Sequence, residues 1–185
     1  SNEIVKSGQL DRFGQPITGN MDETIHAGIE LSGSYKINRY FDITVNGTYS
    51  KNRISKGFHY EDENSTIDLS GNSISGFPDI TANGIIRFNY DGFFTQIWLK
   101  YVGEYYTDNF GDIQNIIDYD NKVDAYFVSN ILTSYKFNAN PLFNNVKLFV
   151  QVNNIFDNLY AAYGSGNEFF PAAERNITAG VKVEL

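Results

Sequence analysis

Few residues of this chain have the types and spacing that catalysis requires. Its 185 residues contain two histidines, His26 and His59, far apart in the sequence, and no cysteine. No Gly-x-Ser-x-Gly phrase is present, so a hydrolase-like triad is not indicated, and the glycines form no phosphate-binding motif. The absence of cysteine excludes disulfides, thiol catalysis and cysteine-based zinc sites. We therefore predict no catalytic residue, no cofactor and no enzymatic activity.

Acidic side chains outnumber basic ones and could in principle bind a cation. The chain has a net charge of -8 and an isoelectric point near 4.7. Two groups of oxygen-bearing side chains are candidate calcium ligands: Asp108, Asn109 and Asp112, and Glu61, Asp62 and Glu63. Neither group has the spacing of a known calcium loop, so we favour solvated loop carboxylates and predict no metal site. The acidic balance also excludes a nucleic-acid partner, because phosphate binding requires clustered lysine and arginine.

Alternation of apolar and polar residues is the main structural pattern of the chain. In the last run, Ile177, Ala179, Val181, Val183 and Leu185 alternate with small or polar residues. A period of two gives a β-strand one apolar face. The pattern recurs over about 24–37, 40–52, 80–90, 93–105, 123–137 and from 146 onward, after a strand end near Ile4 and a loop over 10–20. We predict an all-β chain of about seven or eight long antiparallel strands in meander order, with almost no helix.

Connections between these runs alternate between short and long. The short ones are Asn38-Arg39, Asp91-Gly92 and 138–145, and the long ones are 53–78, 106–122 and 157–174. Asp-Gly is a strong hairpin signal, and outer-membrane barrels have short turns at one rim and long loops at the other. The mean hydropathy of -0.33 is compatible with a barrel, because only every second residue of its strands contacts lipid.

Three phrases of the chain resemble those of a known family. They are YVGEYYTDN (Tyr101–Asn109), NNIFDNLY (Asn153–Tyr160) and FFPAAER (Phe169–Arg175), followed by the final alternating strand. In this order they are similar to the C-terminal end of TonB-dependent outer-membrane receptors, although Leu185 stands where the family usually has phenylalanine. The resemblance implies that residues 1–185 are the C-terminal fragment of a barrel of about 22 strands. The plug domain and earlier strands would be absent, and Ser1-Asn2 would be a cleavage scar from an expression vector.

The same resemblance implies a function in nutrient import. A receptor of this family would lie in the outer membrane of a Gram-negative bacterium and contact its lipid. It would bind a small nutrient, such as a siderophore, cobalamin or a glycan. Import would use energy from the TonB complex, acting through the absent plug.

Aromatic residues are concentrated in or beside the long loops. Those that adjoin strands are predicted to form part of an aromatic girdle at the membrane interface. They are Tyr105, Tyr106 and Tyr160. Those further into the loops are candidate ligand contacts that would stack on a sugar or an iron chelate. They are Phe58, His59, Tyr60, Phe169 and Phe170.

An alternative interpretation is a self-contained soluble β-barrel that binds a small ligand, or an adhesion module. Alternation alone does not separate these from a receptor, because an apolar face can meet either lipid or a core. Long loops at one end only favour the receptor. A fragment with raw strand edges would need detergent, self-association as a paired sheet, or closure into a small barrel. Closure would point these aliphatic side chains inward: Ile29, Leu31, Ile43, Val45, Leu99, Leu148, Val150, Val181 and Val183.

Overall fold

A computed structural model of the chain describes residues 3–10, 12–13, 16–60, 66–113, 119–138 and 145–184. These residues form strands and loops, with no helix among them. The strands are β1 (Glu3–Leu10), β2 (Pro16–Met21), β3 (Glu23–Lys36), β4 (Phe41–Lys56), β5 (Phe58–Tyr60), β6 (Thr66–Asp68), β7 (Ile80–Tyr90), β8 (Phe93–Val102), β9 (Tyr105–Tyr106), β10 (Lys122–Val123), β11 (Tyr126–Phe137), β12 (Asn145–Asn153), β13 (Ala161–Ser165), β14 (Glu168–Pro171) and β15 (Asn176–Glu184). Within the described part of the chain, no helix could cross a membrane.

The seven long strands form one antiparallel sheet. Their order is β3-β4-β7-β8-β11-β12-β15, so each strand pairs with its neighbours in the meander. The predicted all-β meander is confirmed. The sheet is open, with β3 and β15 as its two edges among the described residues.

Closure into a small barrel, one of the forms that the sequence left open, is not the form that this structure adopts. Ile29 is 65% exposed and Leu31 is 72% exposed, whereas closure would have placed both side chains in an interior. The structure therefore leaves one broad apolar face uncovered.

Registry across the sheet separates an apolar face from a polar face. One continuous row on the apolar face consists of Tyr35, Ile43, Ile86, Ile97, Ile131, Val152 and Ile177. The adjacent row on the polar face consists of Lys36, Asp42, Arg87, Gln96, Leu132, Gln151 and Thr178. Arg87 Nη1 lies 2.9 Å from Asp42 Oδ1, and Arg87 Nε donates to Gln96 Oε1 at 3.2 Å. The two-residue alternation of the sequence therefore continues across every strand of the sheet.

Two of the predicted short turns are confirmed at one end of the sheet, the short-turn end. Asn38 Oδ1 accepts from the backbone N–H groups of Tyr40 at 2.8 Å and Phe41 at 3.0 Å. Asp91 and Gly92 have φ angles of 44° and 80°, as a two-residue hairpin turn of the primed type requires. The third predicted turn, 138–145, lies mostly outside the described residues.

The long connections contain short strands that the sequence did not predict. The predicted loop over 10–20 is wrong, because β2 occupies part of it and pairs with β1. β4 continues to Lys56 rather than ending at 52, and β5 pairs with β6 within the predicted loop 53–78. The β13–β14 pair likewise lies within the predicted loop 157–174, and the β9–β10 pair joins the two ends of the predicted loop 106–122. Runs of two to six residues are too short for a period of two to stand out.

We expect Gly92→Ala to destabilise the folded protein more than Gly33→Ala does. Alanine at 92 would need a positive φ, and its Cβ would collide with the carbonyl oxygen of Lys136, whereas a Cβ at 33 meets nothing within 4 Å. The left-handed conformation alone costs about 1–2 kcal/mol. Urea unfolding of the intact protein measures the difference. Equal free energies of unfolding for the two variants would contradict this account of the turn.

Candidate functional site

A buried polar segment organises the long loops at the other end of the sheet. Thr107, Asp108 and Asn109 are each no more than 1% exposed. Asp108 Oδ1 accepts from Phe110 N at 2.9 Å and from Asn121 Nδ2 at 3.0 Å, and Asp108 Oδ2 accepts from the Tyr119 hydroxyl at 3.0 Å. A buried carboxylate is tolerated when donors satisfy it in this way. We call residues 107–111 the loop hub.

The loop hub binds the first long loop, residues 57–79. Asn109 Oδ1 accepts from Ser75 N at 2.8 Å. Asn72 Nδ2 donates to the carbonyl oxygens of Asn109 at 3.0 Å and Phe110 at 2.9 Å. Phe110 also belongs to a buried apolar cluster with Met21, Ile54, Leu69 and Ile74. Hydrogen bonds and apolar packing therefore attach the first loop to the second, residues 103–125.

The loop hub also binds the third long loop, residues 154–175. Thr107 Oγ1 donates to the Gly166 carbonyl oxygen at 2.6 Å, and Gly166 N donates back to the Thr107 carbonyl oxygen at 3.2 Å. A Cβ at Gly164 would collide with the Thr107 methyl group, so glycine permits this close approach. All three long loops thus join one assembly.

Two of the sequence phrases close the base of the third loop. Asp157 Oδ1 accepts from Arg175 N at 2.8 Å, and Asp157 Oδ2 lies 3.3 Å from Arg175 Nη2. Asn154 N donates to Asn130 Oδ1 at 2.8 Å, which attaches the loop to β11. Asn154 and Asp157 both have positive φ angles, 52° and 55°. The phrases Asn153–Tyr160 and Phe169–Arg175 therefore contact each other at the base of the third loop.

A cavity of about 500 Å³ lies where the polar face meets the loop assembly. We call it the vestibule. Strand residues line its floor, among them Thr81, Asn83 and Lys100, and loop residues Tyr105 and Tyr163 line it as well. Amide, hydroxyl and ammonium groups that converge on one concave surface can bind a polar ligand by hydrogen bonds.

A second cavity, of about 490 Å³, continues along the polar face and shares Asn83 and Lys100 with the vestibule. Its other polar lining residues are mostly amides: Asn46, Asn130, Gln151 and Asn153. Asn83 Nδ2 donates to Asn46 Oδ1 at 2.9 Å. Trp98 also lines this cavity, on the polar face where the sequence pattern had placed it. The polar face therefore offers a continuous amide-rich path away from the loops.

A third cavity, of about 560 Å³, separates the first and second loops and is lined by charged residues. Lys122 Nζ lies 3.7 Å from Asp112 and 3.9 Å from Glu104, and 4.8 Å from the Tyr106 ring centroid. Burial lowers the pKa of Lys122, but contacts with Tyr106, Glu104 and Asp112 outweigh it and raise the pKa. Lys122 is therefore cationic at neutral pH.

Burial raises the pKa of two tyrosines beside this cleft. The pKa of Tyr105 is raised by burial and, further, by Tyr126 and Tyr163. Burial and a hydrogen bond with Asp112 raise the pKa of Tyr106, although Lys122 acts in the opposite direction. Both phenols therefore remain neutral hydrogen-bonding groups well above physiological pH.

The structure places the predicted ligand contacts in two separate hairpins. Phe58, His59 and Tyr60 form β5, and the side chain of Tyr60 is outside the described set. The His59 ring packs edge-on against Phe110, with centroids 5.0 Å apart. Phe169 and Phe170 are part of β14 and are 37% and 47% exposed.

Of the described side chains, Phe58, His59, Phe169 and Phe170 are not among those that line the vestibule. Tyr163 is a lining residue, and the Phe170 ring packs behind it with centroids 5.7 Å apart. The sequence had not singled out Asn83, Lys100 or Tyr126 as lining residues. The one sequence signal that could have identified them is their position on the polar face of the predicted strands. Ligand contact by the five loop residues stays a prediction.

The predicted girdle tyrosines lie at the base of the loops. Tyr105 is 8% exposed and packs in a buried cluster with Val102 and Val123. Tyr160 stacks on Tyr126, with centroids 4.3 Å apart, and Tyr106 contacts Lys122. Their contact with a membrane stays a prediction.

Of the two candidate calcium-binding groups, the first contacts other protein side chains and the second lies outside the described residues. Both carboxylate oxygens of Asp108 accept hydrogen bonds from protein groups, and Asp112 approaches Lys122. Glu61, Asp62 and Glu63 lie outside the described residues. The described part of the chain has no cluster of three or more potential metal ligands of the His, Cys, Asp or Glu type.

Comparison with known protein families identifies the family of this chain. The family model described as TonB dependent receptor-like, beta-barrel, matches residues 1–155. The chain belongs to the TonB-dependent receptor family. The resemblance seen in the sequence phrases is thereby confirmed. A search of curated proteins finds no match.

Solved TonB-dependent receptors share this fold. The siderophore receptor PiuA from Acinetobacter baumannii is 21% identical with a TM-score of 0.72, and 97% of this chain aligns with 24% of that receptor. The ferric-catecholate import receptor Fiu from E. coli K12 is 18% identical (TM-score 0.67; 97% and 23% coverage). The copper transporter OprC is 20% identical (TM-score 0.62; 97% and 26% coverage). The chain thus spans about a quarter of the length of each receptor.

We expect Asp108→Ala to loosen all three loops at once. The substitution removes the acceptor of the buried Phe110 N–H and of the partly buried Tyr119 hydroxyl, and one of the two acceptors of Asn121 Nδ2. A buried donor left unpaired costs about 1–3 kcal/mol. Hydrogen exchange of the intact receptor should then accelerate at residues 72–76 and 164–166 as well as in the hub. Asp112→Ala is the matched control, because this side chain in the same loop is 78% exposed. Faster hydrogen exchange in the second loop alone would contradict the conclusion that the three loops form one assembly.

Proposed function

We propose that residues 1–185 form the C-terminal part of an outer-membrane receptor that binds a small nutrient outside the cell and imports it with TonB-coupled energy. One observation carries the proposal: the sheet has an uncovered apolar face on one side and, on the other, ligand-sized polar cavities beneath a loop assembly. In a transmembrane barrel the first face meets lipid and the second lines the interior. The whole of residues 1–185 would then be barrel wall and outer loops.

The distribution of aromatic rings on the apolar face supports a location in a membrane. Three strands each carry two aromatic residues eight positions apart: Phe41 and Tyr49, Phe93 and Tyr101, and Phe127 and Tyr135. Eight strand residues span about 27 Å along the strand, or about 20 Å across the membrane at a tilt of about 40°, which is comparable with the lipid-facing band of about 25 Å between the two aromatic girdles of a barrel. Aliphatic side chains such as Ile43, Ile97 and Ile131 lie between them.

This arrangement disfavours the soluble alternatives. A water-soluble barrel or adhesion module would bury its aliphatic face, but Val45 is 52% exposed and Val181 is 62% exposed. An uncovered face of this extent needs lipid, detergent or a partner. Members of this family are outer-membrane proteins of Gram-negative bacteria, and we infer the same location here.

The vestibule supports a small polar ligand as the cargo. Its volume of about 500 Å³ falls within the range of small-molecule sites. Siderophore, cobalamin and glycan are the candidate classes from the sequence. The solved receptors of this fold include proteins described as siderophore receptors and a copper transporter. A family of transport receptors also agrees with the expected lack of catalysis.

Binding to the intact receptor tests the vestibule. The panel would contain ferric siderophores, cyanocobalamin and oligosaccharides. We expect Lys100→Gln to weaken binding of the cargo by about tenfold, because a hydrogen bond from a charged donor contributes roughly 1.5–3 kcal/mol. Lys51→Gln, an exposed lysine on the apolar-face side of β4, is the control. If both variants bind the cargo with the affinity of the parent, Lys100 does not contact the ligand. Uptake that persists after TonB deletion would contradict the transport proposal.

The aromatic residues of the loops have a separate test. If Phe58 and Phe169 stack on the ligand, we expect Phe58→Ala and Phe169→Ala each to weaken binding by several-fold, at about 1 kcal/mol per lost aromatic contact. Phe156→Ala is the matched control, since Phe156 is 64% exposed and packs near Phe127 on the apolar face. Isothermal titration calorimetry gives the affinities. Unchanged affinities for the first two variants would restrict the ligand site to the vestibule.

A further inference from the structure

The second cavity of the polar face, of about 490 Å³, is lined mainly by side-chain amides. We call it the amide cavity. Its amides come from strands β4, β7, β11 and β12 and belong to Asn46, Asn83, Asn130, Gln151 and Asn153. Lys100 is the one charged residue among the described residues that line it, in a chain with 14 basic and 22 acidic residues. A surface built from neutral amides in so charged a chain suits an uncharged polar ligand.

The register of the sheet places several of these side chains in one row. Trp98 is directly opposite Asn130, Asn130 is opposite Asn153, and Asn153 is opposite Asn176. Neighbouring strands are about 4.8 Å apart, so the row extends over about 14 Å from β8 to β15. A row of this length can contact several polar groups of one ligand at the same time.

Hydrogen bonds within the protein use only part of what these amides offer. Asn83 Nδ2 donates to Asn46 Oδ1 at 2.9 Å, and Gln151 Nε2 donates to Asn153 Oδ1 at 2.8 Å. Asn130 Oδ1 accepts from a backbone N–H of the third loop at 2.8 Å. The Nδ2 donors of Asn46 and Asn130 and the side-chain oxygens of Asn83 and Gln151 therefore have no protein partner among the described contacts.

Unpaired donors and unpaired acceptors on one surface indicate the chemistry of the ligand. A hydroxyl group both donates and accepts, so a ligand with several neighbouring hydroxyls can satisfy both kinds of group. An ionised carboxylate only accepts and would leave the oxygens of Asn83 and Gln151 unpaired. Because polar groups that a ligand leaves unpaired weaken its binding, the pattern favours a polyhydroxylated ligand over an anion.

Trp98 adds an aromatic surface beside the amides. It is half-buried and lines the amide cavity. A sugar ring carries hydroxyls around its edge and C–H groups on its faces, and burial of those C–H groups against an indole is favourable. Towards the short-turn end the same face of the sheet carries Phe94 and Lys147, whose Nζ lies 5.9 Å from the ring centroid. The chemistry of the polar face therefore changes along the strands.

We propose that the amide cavity binds an oligosaccharide, with the free amide groups hydrogen-bonded to its hydroxyls and one sugar ring stacked on Trp98. The inference rests on the proposed import function and names the class of its cargo. Lys100 lines both this cavity and the vestibule, and its ammonium group donates to sugar oxygens at the junction. The vestibule adds the rings and hydroxyls of Tyr105, Tyr126 and Tyr163, so one saccharide chain occupies both cavities.

Isothermal titration calorimetry of the intact receptor tests the site. The panel contains hexasaccharides of α-linked glucose, β-linked glucose, xylose and N-acetylglucosamine, together with ferric siderophores and cyanocobalamin. The detergent must have a polyoxyethylene headgroup, because a maltoside detergent would itself compete for a sugar site. We expect at least one hexasaccharide to bind, and Trp98→Leu to weaken its binding about tenfold through loss of the stacked ring.

Two isosteric variants test the free donors. Asn46→Asp and Asn130→Asp each keep the oxygen that accepts the existing bond and remove the free donor, so we expect each to weaken hexasaccharide binding about fivefold. Asn89→Asp is the matched control, because it adds the same charge to the polar face of β7 at the short-turn end. It should bind as the parent does. Urea unfolding of each variant shows whether its fold is intact.

The outcomes separate this proposal from the import function. Failure of every hexasaccharide to bind, or binding that both aspartate variants at 46 and 130 leave unchanged, would overturn the oligosaccharide site. If a ferric siderophore or cyanocobalamin alone binds and its uptake needs TonB, the site is overturned and the import function stands. If a hexasaccharide binds with the expected losses but its uptake persists without TonB, the site stands and the import function is contradicted.

Discussion

The registry of the seven-strand ladder is the constraint on which the rest of the structure depends. Because side chains alternate between faces with a period of two, a slip of one residue in any strand would exchange its apolar and polar sides. An unbroken apolar row from Tyr35 on β3 to Ile177 on β15 holds the strands in one alignment. The alignment in turn fixes the positions of the side chains on the other face, including those of the vestibule floor. The tight turn at Asp91-Gly92 sets the register of β7 against β8 locally.

The loop hub gives the long loops a definite position above this sheet. Extended loops with few backbone partners would ordinarily be the least stable part of such a molecule. Here the buried carboxylate of Asp108 accepts from Asn121 within the second loop, Asn109 binds the first loop and Thr107 binds the third. A polar hub of this kind is stable only when its buried groups are satisfied. The two buried hydroxyl oxygens without a partner among the described contacts, those of Ser75 and Ser165, lie beside this hub.

The two faces of the sheet meet very different environments, and this difference organises the function. The apolar face carries aromatic rings near both ends of its strands and aliphatic side chains between them, an arrangement suited to a lipid bilayer. The polar face carries amides and a few cations, with cavities of ligand size along it. A nutrient that entered among the loops would meet hydrogen-bonding groups along a continuous surface. The same surface changes to lysines and phenylalanines at its far end.

The sequence by itself determined the long strands, two of the turns and the family, because these depend on local pattern. The bounds of β7 were predicted without error, and β3 and β15 to within a residue or so. The short strands in the loops and the vestibule were decided by tertiary structure. Asn83, Lys100 and Tyr163 are far apart in sequence and converge only when registry and loop packing place them together. The role of Asp108 is likewise invisible in the sequence, where an acidic loop residue suggests solvation. It is buried because Ser75, Asn121 and Gly166 approach the same short segment from three parts of the chain, and a contact between distant segments leaves no local pattern.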